Sequence, residues 1–475
     1  MTSLHDWQIW EPLVDALRAS APPGTRRSVF EGAVSPQAWG GGFSDDGDHD
    51  RRRALERERA REAAAAARAG RPVPGPRAGL DAAFETVRAA VPPEGISVVV
   101  HACADRDEDL VRLLTLPPYV RRGLSGAVEE VVLVEGALPA PHTATISAAP
   151  GTTVAPSADP AGVERVVRER LPDASGADDD QLAAAEALLG VALPEEVRAL
   201  YRAAAEGDLV LGDEGGFYGF GLIPLADCET RAAYLPDRRF MGWTLDADAL
   251  PPVDPDDRVQ AAIGSPLWLP VGHDWGGNVY AVDLAPGPRG YVGQVVYLDH
   301  EQTAGARLVA DSLAQLLVEG TTASPPLASE TRVARLNPRD GTDVAARVDA
   351  GTEVIVVGAV DAPVDLEPVL GHPRVRVLDA ATTGSLADRT QVASFPALEF
   401  LALSPADWRA LLATGAVPDT LRAAGFGLHA AELDESVEAA NLILARFGRE
   451  PVSVTELRRP PRRGLLSRLL GLREE

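Results

Sequence analysis

The sequence predicts a multi-domain α+β protein, and three observations carry that reading. Between Trp268 and Asp299, WLPVGHDWGGNVYAVDLAPGPRGYVGQVVYLD places three apolar or β-branched runs around a glycine-rich turn and a Pro-Gly loop, the pattern of an antiparallel meander. Upstream, DDDQLAAAEALLGVALPEEVRALYRAA spells out two short helices. Downstream, PRVRVLDA begins at Pro373 and PALEFLAL at Pro396, 23 residues apart, and TEVIVV precedes them by a similar step.

In chain order, residues 1–20 predict an amphipathic helix with Trp7, Trp10, Leu13, Val14 and Leu17 near helical spacing. Residues 21–78 turn to Pro, Gly, Arg and Ala, with the acidic patch DDGDHD and the run RRRALERERAREAAAAARAG. That run lacks an apolar stripe, so the first 78 residues read as a helix followed by a low-complexity tether, either a solvated helix or a disordered segment. Residues 79–139 predict a small α/β module, in which LDAAFETVRAAV is a helix and ISVVVHACA and AVEEVVLVEG are strands. His101 and Cys103 share one strand face, but no second ligand pair stands at a metal-binding spacing.

After a Pro/Ser/Thr-rich joint, residues 162–320 form the predicted central domain. VERVVRERL is helical, and Asp178, Asp179 and Asp180 favour the positive end of a helix that runs through Leu182, Ala185, Leu188 and Leu189 to Gly190. Pro194 is expected at the first position of the next helix, ahead of Glu195, Glu196, Val197, Leu200 and Tyr201. GGFYGFGLIPL reads as a strand with one close backbone approach, since Pro224 rather than a helix follows the glycines and a phosphate loop is excluded. In the meander's turn, Gly276 and Gly277 can take positive φ, while Asp274 and Asn278 can bond nearby backbone. Leu308, Ser312, Leu313, Leu316 and Leu317 predict a closing helix that ends before Gly320.

Beyond the joint TTASPPLASE, residues 331–450 carry the 23-residue step, with SPADWRALLATGAVPDTLRAAG and a helix from Ser436 to Phe447 closing the stack. The period resembles degenerate leucine-rich repeats; an ordinary α/β domain with two similar strands is the alternative. Residues 451–475 predict a basic amphipathic tail, suited to anionic lipid, to a partner groove or to a weakly docked terminus.

The 475 residues carry a formal charge of -25, which repels phosphate backbones and anionic lipid and excludes nucleic acid as a direct partner of the whole chain. All 45 basic residues are arginine, which reads as the coding bias of a GC-rich genome. Cys103 and Cys228 lie far apart, so no disulfide framework is indicated. No apolar run approaches eighteen residues and MTSLHDWQIWEPL is not a basic-then-apolar leader, which predicts a cytoplasmic protein without stable membrane insertion.

The charged cluster His273, Asp274, Asp283, Asp299, His300 and Glu301 is the one place where metal-assisted hydrolysis is conceivable. Hairpin turns favour Asp and Asn for backbone reasons, and no serine elbow, HExxH or paired-cysteine motif accompanies the cluster. A metal-dependent hydrolase is therefore a remote alternative, and the expectation is a non-enzyme without cofactor or metal.

The order of ALPEEVRALYRAA, GFGLIPL, a GHDWGGNVYAVDL hairpin, GQVVYLDHE and a final helix resembles the SUKH superfamily, which includes fungal cell-wall assembly regulators and bacterial toxin-immunity proteins. The resemblance covers about residues 165–320 and implies an antiparallel sheet with helices that binds protein rather than catalysing a reaction. Trp275 stands where the family pattern leads one to expect a smaller or polar residue. The expected partner surface is His273, Asp274, Trp275 and Asn278 around the structural turn Gly276–Gly277. The expected function is immunity, in which an acidic protein neutralises a basic toxin such as a nuclease; the alternative is a regulatory scaffold in cell-wall or stress signalling.

Overall fold

The structure is a computed structural model that describes residues 3–21, 24–46, 78–93, 95–123, 127–148, 152–209, 211, 219–225, 235, 237–301, 305–321, 332–426 and 433–460. The N-terminal third contributes strands β1 (Arg27–Val34), β2 (Trp39–Asp45), β3 (Ile96–Cys103), β4 (Leu110–Thr115), β5 (Val120–Arg122) and β6 (Val128–Val132). The middle contributes β7 (Gly207–Leu209), β8 (Phe220–Leu222), β9 (Trp268–His273), β10 (Val279–Asp283), β11 (Val295–Leu298) and β12 (Arg307–Ala310). The last third contributes β13 (Val333–Leu336), β14 (Val354–Val357), β15 (Val377–Ala380), β16 (Phe400–Leu403), β17 (Ala423–Gly425) and β18 (Ser453–Arg458).

These strands form three sheets ordered β18-β4-β3-β1-β2, β12-β11-β10-β9-β8-β7 and β13-β14-β15-β16-β17-β6-β5. All pairings in the first two are antiparallel, and with helices packed beside them the chain is of the α+β class.

The N-terminal helix Trp7–Ser20 has the expected face, with Trp7, Trp10, Leu13, Val14 and Leu17 all buried and Asp6 capping it through the backbone N–H of Gln8. The expected tether differs from the structure over its first half. β1 and β2 lie within it and pair along their length, while residues 47–77, which hold the Arg/Ala/Glu run, are outside the described residues. Composition concealed this hairpin because its glycines serve close approach: a Cβ on Gly32 would stand 2.2 Å from the Gly40 carbonyl oxygen, and one on Gly41 2.3 Å from that of Glu31.

The module expected at 79–139 is divided between sheets: β3 and β4 join the first, β5 and β6 the third. Of the tail expected at 451–475, residues 461–475 with their leucines lie outside the described residues, while the stretch before them is a strand, since β18 pairs with β4 from Ser453↔Thr115 to Arg458↔Leu110. Its burial is slight, so local pattern gives no sign of it. The strand is held by the backbone ladder and by Arg459, which forms ion pairs with Glu11, Asp15 and the buried Asp109. The N-terminal and C-terminal segments thus share both outer sheets, with the central unit inserted between β6 and β13.

In that central unit the helices Pro160–Arg170, Asp179–Leu189 and Glu195–Ala203 bury Val163, Val167, Leu182, Val197 and Leu200 against Leu269, Val271, Tyr280 and Val282 of the sheet. A capping box between Asp178 and Gln181 opens the second helix, and Gly190 at φ 66 closes it. Pro194 sits one position earlier than expected, at the N-cap. Leu308 belongs to β12 rather than to the closing helix, which runs Leu313–Glu319 after the Ser312 cap.

In the third sheet β13 to β17 are parallel, with Val333, Val354, Val377, Phe400 and Ala423 aligned in register. Successive partners stand 21, 23, 23 and 23 residues apart, so the period visible in the sequence is that of strand pairing. One face carries Ile355, Leu378, Leu401 and Ala424 into a core with Trp408 and Ile443; the other carries Val354, Val377, Phe400 and Ala423. The edge of β17 is covered by the antiparallel strand β6.

Candidate functional site

The turn between β9 and β10 is built by one buried carboxylate. Asp274, 3% exposed, accepts hydrogen bonds at Oδ1 from the backbone N–H of Gly276 at 2.8 Å and of Asn278 at 3.0 Å, and at Oδ2 from Asn278 Nδ2 at 2.7 Å and the Tyr297 hydroxyl at 2.8 Å. Four donors on one ionised group fix the backbone and the neighbouring strand together. Burial disfavours the carboxylate charge, but the side chains of Asn278 and Tyr297 and the two backbone N–H groups outweigh it, so the Asp274 pKa lies below its ordinary value. The Tyr297 pKa moves up, through burial first and then through its bond to that carboxylate.

The network continues outward through Asn278, whose Oδ1 accepts from the backbone N–H of His300 at 3.0 Å and lies 2.9 Å from His300 Nδ1. Because Asn278 Nδ2 is committed to Asp274, its Oδ1 can only accept, so His300 carries a proton on Nδ1. Gly277 adopts φ 102, and a Cβ there would stand 3.0 Å from His300 Cγ. Gly276 is not in the left-handed region; the other residue of this turn at positive φ is Trp275, at φ 58. A tryptophan in that conformation costs about 1 kcal/mol relative to glycine.

Trp275 as a residue is 56% exposed. Its inner edge rests on the neighbouring strand, where a Cβ on Gly219 would come within 2.6 Å of the ring and one on Gly221 within 2.9 Å. His273 meets it edge-on at 5.3 Å between centroids, and His273 is itself opposite Gly221 in register. The close approach expected in GFGLIPL is thus made by the Trp275 and His273 rings. Glycines 219 and 221 form the platform, and the sequence signal for it was their spacing on one strand face.

The structure brings His273, Asp274, Trp275, Asn278 and His300 together at one end of the sheet. Asp283 is at the other end of β10, opposite Trp268, roughly 13 Å along the strand from Val279. It is fully buried, accepts from the Ala285 backbone N–H and Gln294 Nε2 at 2.9 Å each, and burial pushes its pKa up to about 6. Asp299 is occupied by the backbone N–H of Glu301 at 2.9 Å. Among the described residues, no group of three His, Cys, Asp or Glu side chains is arranged to hold a metal ion. His101 on β3 has its pKa lowered by burial, then by Arg27 and Arg112, as suits a neutral imidazole in a half-buried strand.

Residues 176–319 match the model of the SMI1 / KNR4 family (SUKH-1). The central unit is a SUKH-1 domain. The match covers the helices Asp179–Leu189 and Glu195–Ala203, the six-stranded sheet and the closing helix.

Two curated relatives share short segments with this chain. The glucan synthesis regulatory protein of Neurospora crassa is 49% identical over 49 residues, 10% of this chain and 8% of that protein. The cell wall biosynthesis/cell cycle regulator smi1 of Schizosaccharomyces pombe is 43% identical over 63 residues, 13% of this chain and 12% of that protein. The chain therefore spans about a tenth of the length of these relatives. No helix among the described residues is long and apolar enough to cross a membrane.

Proposed function

We propose that this chain is a non-catalytic regulator that holds a protein partner against the hairpin end of its SUKH-1 domain, with Trp275 as the anchor and His273 beside it. The observation that carries the reading is the display of Trp275. The hydrogen bonds of Asp274 hold the turn from within, while Trp275 remains more than half exposed in a backbone conformation that disfavours any side chain. A large aromatic on a pre-ordered turn adds contact area with little ordering cost on binding, which is how interface hot spots work.

Both relatives bear regulator names, so regulation of cell-wall synthesis, or of an analogous envelope or stress pathway, is the reading carried forward. The immunity expectation rested on the charge of -25 and on the wider superfamily, and neither relative adds to it. A basic partner suits either role.

The test is affinity capture from the host lysate with the wild-type chain, Trp275→Ala and Leu188→Ala, the last altering an exposed side chain on another surface. The expected result is a specific protein held by wild type and Leu188→Ala and reduced at least tenfold by Trp275→Ala, about 1.4 kcal/mol or more. Equal capture by all three would remove the hairpin from the binding surface.

A further inference from the structure

Between β8 and β9 the SUKH-1 domain sends out a segment that leaves its own sheet and lies across the parallel sheet. Trp243, Ala247 and Leu250 pack on Val354, Val377 and Phe400, and the Trp243 ring stacks on Phe400 at 6.0 Å and 19°. Most of the polar grip on the segment is backbone recognition. Arg121 donates to the Met241 carbonyl at 2.7 Å, Arg376 to those of Ala247 and Ala249, and Arg332 to that of Pro251 at 2.7 Å. Glu130 accepts the Thr244 backbone N–H at 2.7 Å. One aromatic pocket combined with side chains that grip main-chain groups is the chemistry of a peptide-binding face.

The segment fits that face imperfectly. Among the described residues, Trp243 Nε1 and Asp246 Oδ1 are buried without a hydrogen-bond partner. Asp248 on the segment and Asp379 on β15 both have raised pKa values, by burial first, and the charge of Asp248 raises Asp379 further. Met241 and Leu245 point out to solvent, 54% and 48% exposed. A contact that strands polar atoms and crowds like charges gives up much of what its apolar area gains.

We propose that residues 240–251 are a releasable strap, a self-ligand that fills a peptide-binding face of the parallel sheet and, on release, yields that face to a protein segment with the strap's chemistry, a tryptophan followed by carboxylates. The inference stands apart from the hairpin reading, because it concerns a different sheet and different residues. Release would uncover Val354, Val377 and Phe400 together with Arg121, Arg332 and Arg376, and would free the SUKH-1 domain from one of its attachments to the outer sheets.

Two measurements on the full chain test this. The first is native-state hydrogen exchange of the wild type. The strap amides of Thr244, Asp246 and Ala247, hydrogen-bonded at 2.7 to 2.9 Å, are expected to exchange at least 100-fold faster than the amides of β14 to β16, with a urea dependence that is present but smaller than that of global unfolding. The second uses a fluorescein-labelled peptide of residues 239–252 in fluorescence polarisation. Gly242 has φ 149, a conformation that L side chains rarely adopt, so Gly242→Val strains the strap backbone without replacing any residue of the face. The variant is expected to bind the peptide at least tenfold more tightly than wild type, and a Trp243→Ala peptide to lose at least tenfold. Strap amides that exchange at the rate of the sheet, or a peptide that binds both chains equally or neither, would overturn the proposal. Should Gly242→Val not fold, the wild-type exchange data decide alone.

Discussion

The hairpin of the SUKH-1 domain and the parallel sheet of the outer body both bury apolar strand faces, but they draw on different ranges of sequence. In the hairpin, Asp274 reaches Gly276, Asn278 and Tyr297, all within 23 residues. In the parallel sheet each strand waits 21 to 23 residues for its neighbour, and the last edge is closed by β6, which arrives from almost 300 positions earlier. Local chemistry can specify the first arrangement turn by turn. The second depends on packing that exists only when distant segments meet.

The largest expected effect sharpens this contrast from the side of the sheet. Trp408 is 1% exposed, fills the core behind β16 and β17, and donates Nε1 to the Gly425 carbonyl at 2.8 Å. Trp408→Ala is expected to destabilise the chain by about 3–5 kcal/mol, through lost burial, a cavity and an orphaned carbonyl. Urea unfolding followed by circular dichroism measures it. Because β5 and β6 sit on the same sheet, the loss should extend to the N-terminal segment; an N-terminal transition that stays put would separate what the pairing of β17 with β6 joins.

What the sequence made legible follows the same division. The capped helices, the Asp274 turn and the 23-residue step were all readable, because each is written in neighbouring residues or in a fixed period. The β1–β2 hairpin was not, since WGGGFSD reads as a linker until Gly32 and Gly41 are seen to lie against backbone. Nor was β18, whose two apolar residues, Val454 and Leu457, fall on opposite strand faces and whose partner strand stands some 340 residues away. At the candidate site the turn residues were legible, while the platform of Gly219 and Gly221 and the role of Tyr297 required the register between β8, β9 and β11.

A second, intermediate effect compares two aspartates on one strand pair. Asp283, with its pKa pushed up to about 6 by burial, holds its proton more tightly in the folded state than in the unfolded chain. Its contribution therefore falls as pH rises from about 4 to about 6 and is flat above, a loss of about 3 kcal/mol across that window. Asp274 works in the opposite sense, because its lowered pKa gives stability that is present above the unfolded value and lost as pH falls through the folded one. Denaturant midpoints taken from pH 3 to pH 8 are expected to decline between pH 4 and 6 in the wild type, and Asp283→Asn should reduce that decline, leaving the share of Asp248 and Asp379, whose pKa values burial also raises. An unchanged slope in the variant would assign the dependence to other groups.

The smallest expected effect on stability is the most informative for function. At φ 58 a glycine is preferred over tryptophan by about 1 kcal/mol, whereas the indole regains part of that by resting on Gly219, Gly221 and His273. These terms nearly cancel, so Trp275→Gly is expected to shift the unfolding free energy by less than about 1 kcal/mol in either direction. Thermal melts measure that shift, and the capture assay measures whether the partner is lost. Trp275→Ala removes the ring but keeps the unfavourable backbone conformation, so it should be the less stable of the two variants by about 1 kcal/mol while losing the partner equally. A Trp275→Gly chain that melts far below wild type would place the indole among the groups that hold the sheet together, and the display of Trp275 would then be a consequence of packing rather than a surface for binding.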